Sequence, residues 1–109
     1  MHEFVEKTWG NYKIIHTDNI CRVKILKLAP NKTIELHSHT ERDEQWTVVM
    51  GTVHVVLDGK EYVLNEGDRL FIPRLSKHKI QNKSVYESVK VVEIQTGKHF
   101  DENDINRFN

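Results

Sequence analysis

The stretch Asn31-Lys-Thr-Ile-Glu-Leu-His37-Ser-His39-Thr-Glu-Arg42-Asp-Glu44-Gln-Trp46-Thr-Val-Val-Met-Gly51-Thr52 decides the fold. Residues two apart on a strand face the same side, so His37 and His39 send both imidazoles toward one point. Glu44 opens a second alternating run after a short polar turn and approaches that point from the neighbouring strand. Gly51 lets the chain turn sharply out of that run. Two imidazoles and a carboxylate are three ligands of a divalent metal site.

A second stretch supplies a fourth ligand. Gly67-Asp-Arg-Leu-Phe-Ile-Pro73-Arg-Leu75-Ser-Lys-His78-Lys-Ile-Gln-Asn82 reads as a strand, a Pro-marked turn and a returning strand led by His78. Together the two stretches resemble the paired motifs of the cupin superfamily, G-x5-H-x-H-x(3,4)-E-x6-G and G-x5-P-x-G-x2-H-x3-N. The matches are His37, His39, Glu44, Gly51, Gly67, Pro73, His78 and Asn82. Asn31 and Leu75 stand where the pattern has glycines. Asn tolerates a left-handed turn. Leu75 implies a different backbone conformation before His78. The resemblance implies one divalent metal ion (zinc, manganese, nickel, cobalt or iron) held by His37, His39, Glu44 and His78. His54 has no such partners and reads as an ordinary strand residue.

The chain has 109 residues, the size of one domain, expected to span 1–109. Lys plus Arg equals Asp plus Glu, so no net charge or basic stripe argues for nucleic acid or a membrane surface. A single cysteine, Cys21, allows no internal disulfide and fits a reducing compartment. The first residues lack the apolar run of a signal peptide, and no stretch approaches the length of a membrane span. The expected location is the cytoplasm.

Hydrophobic period is mostly two. Val53-Val55-Leu57 alternate, then Asp58-Gly59, then Tyr62-Leu64, a strong hairpin signal. Cys21-Val23-Ile25 alternate until the parity slips at Leu26 and Leu28, which predicts a bulge or a strand buried on both faces. Leu70 to Ile72 and Val89 to Ile94 give further strands. Many short strands between frequent turns predict an all-β sandwich or barrel, and the cupin motifs select the jelly-roll (double-stranded β-helix) form with the metal near one mouth. A helical turn is expected only in the segment from Phe100 to Phe108, with Asp101 as its cap. Exposed sheet edges predict a homodimer.

The resemblance narrows to the type II mannose-6-phosphate isomerase family. Lys7-Thr-Trp9-Gly10-Asn-Tyr12 looks like its R-P-W-G-x-Y entry, and Glu93-Ile-Gln95-Thr-Gly97 like its E-V-Q-x-G strand. The tail from Glu102 to Phe108 looks like E-D-D-I-x-R-F, and Arg42 to Gly51 like R-x-E-H-W-x-V-V-x-G. What this implies is interconversion of mannose 6-phosphate and fructose 6-phosphate, feeding GDP-mannose and polysaccharide synthesis. A metal polarises the carbonyl and a nearby group shuttles the proton between C1 and C2. Glu93 is the expected base and Gln95 orients sugar hydroxyls. Arg42 and Arg107 are the expected phosphate donors, since a guanidinium binds phosphate bidentately. The quoted residues contain no Gly-rich nucleotide loop, so guanylyltransferase activity is not implied.

Four departures stand out. Thr40 and Glu41 lengthen the segment between His39 and Arg42. Glu35 replaces a glutamine two before His37, placing a negative charge or a fifth ligand beside the substrate. Gln45 replaces a histidine, and Leu75 a glycine. They keep two other readings open: a non-catalytic metal-binding cupin module for a sugar or small acidic metabolite, and a small oxygenase-type cupin.

Overall fold

Alternating apolar and polar residues put most of the chain into strands, and short turns fix their order. The computed structural model describes residues 3–108; Met1, His2 and Asn109, the ends of the expected domain, lie outside them. The strands are β1 (Glu3–Lys7), β2 (Gly10–Thr17), β3 (Cys21–Leu28), β4 (Thr33–Ser38), β5 (Arg42–Met50), β6 (Val53–Leu57), β7 (Lys60–Leu64), β8 (Arg69–Ile72), β9 (His78–Gln81), β10 (Val89–Gly97) and β11 (Asn106–Arg107). Sheet order is β1-β2-β3-β10-β5-β8 in one sheet and β11-β4-β9-β6-β7 in the other. From β3 onward the chain changes sheet at almost every connection, which is the double-stranded β-helix expected from the sequence.

The two sheets share one core. Leu26, Leu28, Trp46, Val48, Val89 and Val91 of the first meet Val53, Val55, Leu64 and Ile80 of the second. Burying such side chains contributes about 1.5–3 kcal/mol each before entropy is charged. Asp58 and Gly59 both have positive φ, 48° and 81°, and close the β6–β7 hairpin as expected.

Three expectations need correction. The buried residues of β3 are Lys24, Leu26 and Leu28, while Cys21, Val23 and Ile25 are half-buried on the other face. The parity slip therefore marks a change in which face is apolar; the bulge lies on β2, between Ile14 and His16. The tail forms no helix. Asp101 accepts the Asn103 amide at 2.8 Å in a turn, and β11 then pairs with β4. Long-range strand pairing overrides a short local preference. Leu75 keeps φ at 72°, the conformation a glycine would take. Its amide donates to the His39 carbonyl at 2.7 Å, and that bond holds the turn in place despite the side chain.

No helix among the described residues is long and apolar enough to cross a membrane.

Candidate metal centre

Polarity rises along the barrel toward one mouth. The inward row of β3 runs Leu28, Leu26, Lys24, Arg22; that of β10 runs Val89, Val91, Glu93, Gln95; that of β5 runs Val48, Trp46, Glu44, Arg42. Cross-strand register aligns them, with Lys24 beside Glu93 beside Trp46, and Arg22 beside Gln95 beside Glu44. The deep half is hydrocarbon and the mouth half carries the chemistry.

The opposite sheet supplies the histidines. His37 and His78 are register partners on β4 and β9. Between Ile34 and His37 the β4–β9 pairing shifts by one residue. In a regular strand residues three apart face opposite sides. The bulge lets Ile34 pack against the core while His37 also turns inward. His39 follows just beyond β4. Its carbonyl accepts from Leu75, so the β8–β9 loop helps place it.

Each imidazole is oriented by the main chain. Nδ1–H of His37 donates to Glu35 O (2.7 Å), of His39 to Asp104 O (2.7 Å) and of His78 to Ser76 O (3.0 Å). A carbonyl only accepts, so each Nδ1 carries the proton and each Nε2 keeps its lone pair. Ligand atoms of the three lie within 4.8 Å of one another. Burial, then the neighbouring His78, holds His37 down to about 3; burial, then Arg42, holds His39 down to about 4. Burial likewise lowers His78. All three stay neutral, the form that binds metal.

Glu44 stands against two of them, 3.4 Å from His39 Nε2 and 3.6 Å from His78 Nε2. It is 2% exposed. Arg42 Nε donates to its Oε2 at 3.1 Å, and Arg42 Nη2 reaches His39 Nε2 at 3.4 Å. Glu93 lies behind, accepting from Trp46 Nε1 and Gln95 Nε2, both at 2.9 Å. Burial, reinforced by the Glu93 charge, raises Glu44. Burial pushes Glu93 up as well, but Lys24 and Arg42 outweigh it and hold it low. Two carboxylates this close cannot both ionise cheaply, and Glu93 is the ionised one.

Among the described residues, three buried side-chain atoms lack a hydrogen-bond partner: Glu44 Oε1, His78 Nε2 and Gln95 Oε1. Orphaned buried polar groups are uncommon. Three imidazole lone pairs and a carboxylate oxygen form a donor set suited to a divalent cation, which would also favour ionised Glu44. The residues present therefore fit a metal.

The centre opens on a cavity of ≈ 270 Å³ lined by, among others, Trp9, Tyr12, Lys24, Glu102 and Arg107. His37, His39, Arg42, Glu44 and Glu93 also line it. Gln95 is wholly buried behind Glu44. Glu35 is exposed at the rim, and its carboxylate is not among the groups gathered at the histidines. Arg42 is buried in the centre, paired with Glu44. Three of the four departures lie off the cavity lining: Gln45 is exposed on the outer face, Leu75 is exposed in the β8–β9 loop, and Thr40 and Glu41 form a turn whose amides donate to the Asp104 carboxylate. Burial opposes ionisation of Asp104, but those two amides hold its carboxyl below the usual range. Sequence reasoning missed Lys24, Arg22 and Glu102. Their signal was the charged alternation Arg22-Val-Lys24 in a strand otherwise apolar on that side.

The whole chain, residues 1–109, matches the family model described as mannose-6-phosphate isomerase C-terminal. It is 32% identical over 107 residues to the alginate biosynthesis protein AlgA of Pseudomonas putida, covering 98% of this chain and 22% of that protein. It is 30% identical over 108 residues to the mannose-1-phosphate guanylyltransferase ManC of Salmonella typhimurium, covering 99% and 22%. The chain thus spans about a fifth of the length of these relatives. Among solved structures, KdgF from Halomonas sp. superposes with a TM-score of 0.82 at 19% identity, covering 94% of this chain and 91% of that one. A cupin-2 domain from Rhodospirillum rubrum superposes at 0.79 and 11%, covering 94% and 78%. Oxalate decarboxylase from Bacillus subtilis, with Mn(II) centres, does so at 0.81 and 20%, covering 98% and 30%. These likenesses show the fold. The chain has a cupin barrel and belongs to the mannose-6-phosphate isomerase C-terminal family.

Proposed function

We propose that this chain is a metal-dependent sugar-phosphate isomerase acting on the mannose 6-phosphate/fructose 6-phosphate pair, within cytoplasmic nucleotide-sugar and polysaccharide synthesis. The observation that carries the reading is the three-histidine cluster. Its Nε2 lone pairs converge beside an orphaned Glu44 oxygen, on a cavity walled by Glu93 and by cations. His37, His39, Glu44 and His78 would hold one divalent ion, and zinc, manganese, nickel, cobalt and iron all accept that set.

A bound divalent ion acts as a Lewis acid toward a carbonyl oxygen. The protein side of the chemistry is proton transfer. Glu93 is the base: ionised, buried, and aimed by the Trp46 indole and the Gln95 amide. It takes the proton from C2 and returns it to C1, while the O2 hydroxyl proton passes to O1, so that the carbonyl moves from C1 to C2. Gln95, wholly buried behind Glu44, acts through Glu93, which its Nε2 holds in place. Arg42 positions Glu44. The cavity's cations, Arg107 at the rim among them, suit a phosphate, and its aromatic residues suit a sugar face.

The test is an NMR time course of mannose 6-phosphate with metal-stripped protein, then protein reloaded with each of the five metals. Metal-dependent conversion to fructose 6-phosphate, lost in His78→Ala and in Glu93→Gln, is the expected result. No conversion by folded, loaded protein would leave a binding module. Oxygen uptake with iron would move the reading to an oxygenase.

The same proposal includes a homodimer. Phe71 and Ile94, 52% and 37% exposed, both register against outward-facing Gln45 on the outer side of β8, β5 and β10. Exposed apolar side chains on this sheet face suit burial against a second copy.

A further inference from the structure

Lys24 is a charged residue in an unusual place. It is 3% exposed, on the inward row of β3, between the core and the metal centre. Its Nζ donates to both oxygens of Glu102, at 2.9 and 2.7 Å, and lies 4.3 Å from the centroid of the Tyr12 ring. Arg22, the next residue of the same row toward the mouth, adds Nη1 at 3.3 Å to Glu102 Oε2. Three charge-assisted contacts thus converge on one carboxylate. A desolvated ammonium is costly to bury, and an apolar side chain would serve the core at least as well. The arrangement has the form of an anion-binding site, and the protein's own tail fills it.

The occupant is built to leave while the site stays. Glu102 has a 40% exposed side chain on the turn between β10 and β11. The backbone around it is pinned independently. Phe100 is buried, the Asp104 carboxylate holds the Thr40 and Glu41 amides, and the Asp104 carbonyl holds His39. Only the Glu102 side chain needs to rotate, between staggered rotamers. Arg22 keeps a second anchor, Nη1 to Phe100 O at 2.8 Å, and Lys24 keeps the Tyr12 ring. Both cations therefore remain in position after the carboxylate swings out.

Placement tells which ligand fits. Glu44 lies on β5, two strands from β3 across β10, and register puts Arg22, Gln95 and Glu44 in one row. Two strand spacings are roughly 10 Å. The metal centre and the anion site thus stand at opposite ends of a span, with Glu93 between Lys24 and Trp46. An open-chain sugar phosphate has its carbonyl and its phosphate at opposite ends in the same way.

We infer that Lys24 on the cavity wall, backed by Arg22 just off it, forms an anion subsite, that Glu102 occupies it in the free protein, and that the ligand's phosphate replaces Glu102 on binding. The inference rests on the sugar-phosphate reading for the identity of the ligand, and not for the existence of the subsite. Glu102 then sets specificity: a neutral sugar has nothing with which to displace it.

The experiment measures the affinity of inorganic phosphate, mannose 6-phosphate and mannose for the folded wild type, Glu102→Gln, Lys24→Met and the double variant by calorimetry. Removing the internal competitor in Glu102→Gln tightens phosphate by about tenfold. Lys24→Met weakens phosphate, and the double variant loses the gain. Unchanged or weaker phosphate binding by Glu102→Gln, with the fold intact by circular dichroism, overturns the inference. A second measurement needs no variant: adding phosphate to wild type shifts the Arg22 Nε–H and Glu102 carboxyl signals in NMR. Shifts confined to Arg107 and Lys7 also overturn it. Isomerisation observed alongside an unaltered Glu102→Gln removes the subsite and leaves the isomerase reading standing. Phosphate binding in the expected pattern without isomerisation does the reverse.

Discussion

A single hydrogen-bond choice at each histidine makes the centre usable. Had Nδ1 been free and Nε2 bound to a carbonyl, the same three rings would present N–H groups to one another. Main-chain acceptors at Glu35, Ser76 and Asp104 prevent that. The histidines themselves were legible from their spacing, because strand period alone puts His37 and His39 on one side. Their acceptors were not, since Asp104 lies 65 residues from His39 and only the closed fold joins them. Nor was Lys24, whose charge in a barrel interior makes sense only once Glu102 is seen above it. Tyr12, beside Lys24, gives a residue-scale prediction. Burial, then the Glu102 charge, pushes its phenol from 10.0 up to about 12. A raised folded pKa means this contribution to stability is full below pH 10 and lost as pH climbs from 10 to 12. Ultraviolet titration of the folded protein should show one late tyrosine ionisation, and Tyr12→Phe should remove it. A wild-type curve without that late step would contradict the expectation.

At the scale of elements, the loop between β8 and β9 carries the sharpest conflict between local and global demands. Leu75 is 63% exposed and holds φ at 72°, where a side chain costs about 1 kcal/mol or more. The sequence pointed to the position, because the family pattern has glycine there. It misled about the outcome, because the Leu75–His39 main-chain bond and the need to place His78 outweigh the strain. Leu75→Gly should therefore raise the urea midpoint by an amount worth up to about 1 kcal/mol, moderated by glycine's greater unfolded-state entropy. Leu75→Val, branched at Cβ, should lower it. Equal midpoints for the three proteins would show that the loop bears no strain. The β4 bulge belongs to the same scale. Nothing in Ile34-Glu-Leu-His37 announces an extra residue, since bulges are set by what the partner strand, here β9, must align.

For the whole molecule, the arrangement is a barrel with a dry end and a polar end, and each end has its own consequence. The outer apolar patch at Phe71 and Ile94 should hold two copies together. Sedimentation equilibrium should give a dimer, and the double change Phe71→Lys, Ile94→Lys should give a folded monomer. A wild-type monomer at high micromolar concentration would remove the dimer from the proposal. The polar end has the larger energetic effect. Glu44 Oε1, His78 Nε2 and Gln95 Oε1 find no partner within the protein, and each such buried group costs about 1–3 kcal/mol. A cation that binds only the folded chain relieves part of this and adds stability by mass action, about 2.7 kcal/mol at a hundred times its dissociation constant. For a chain of this size that raises Tm by roughly 10 °C. Chelator should lower Tm by that amount, zinc should restore it, and His78→Ala should melt at one temperature with or without metal. A Tm that ignores both chelator and zinc, in protein whose His78→Ala variant melts alike, would mean that no metal belongs to this centre and that its orphaned groups serve another ligand.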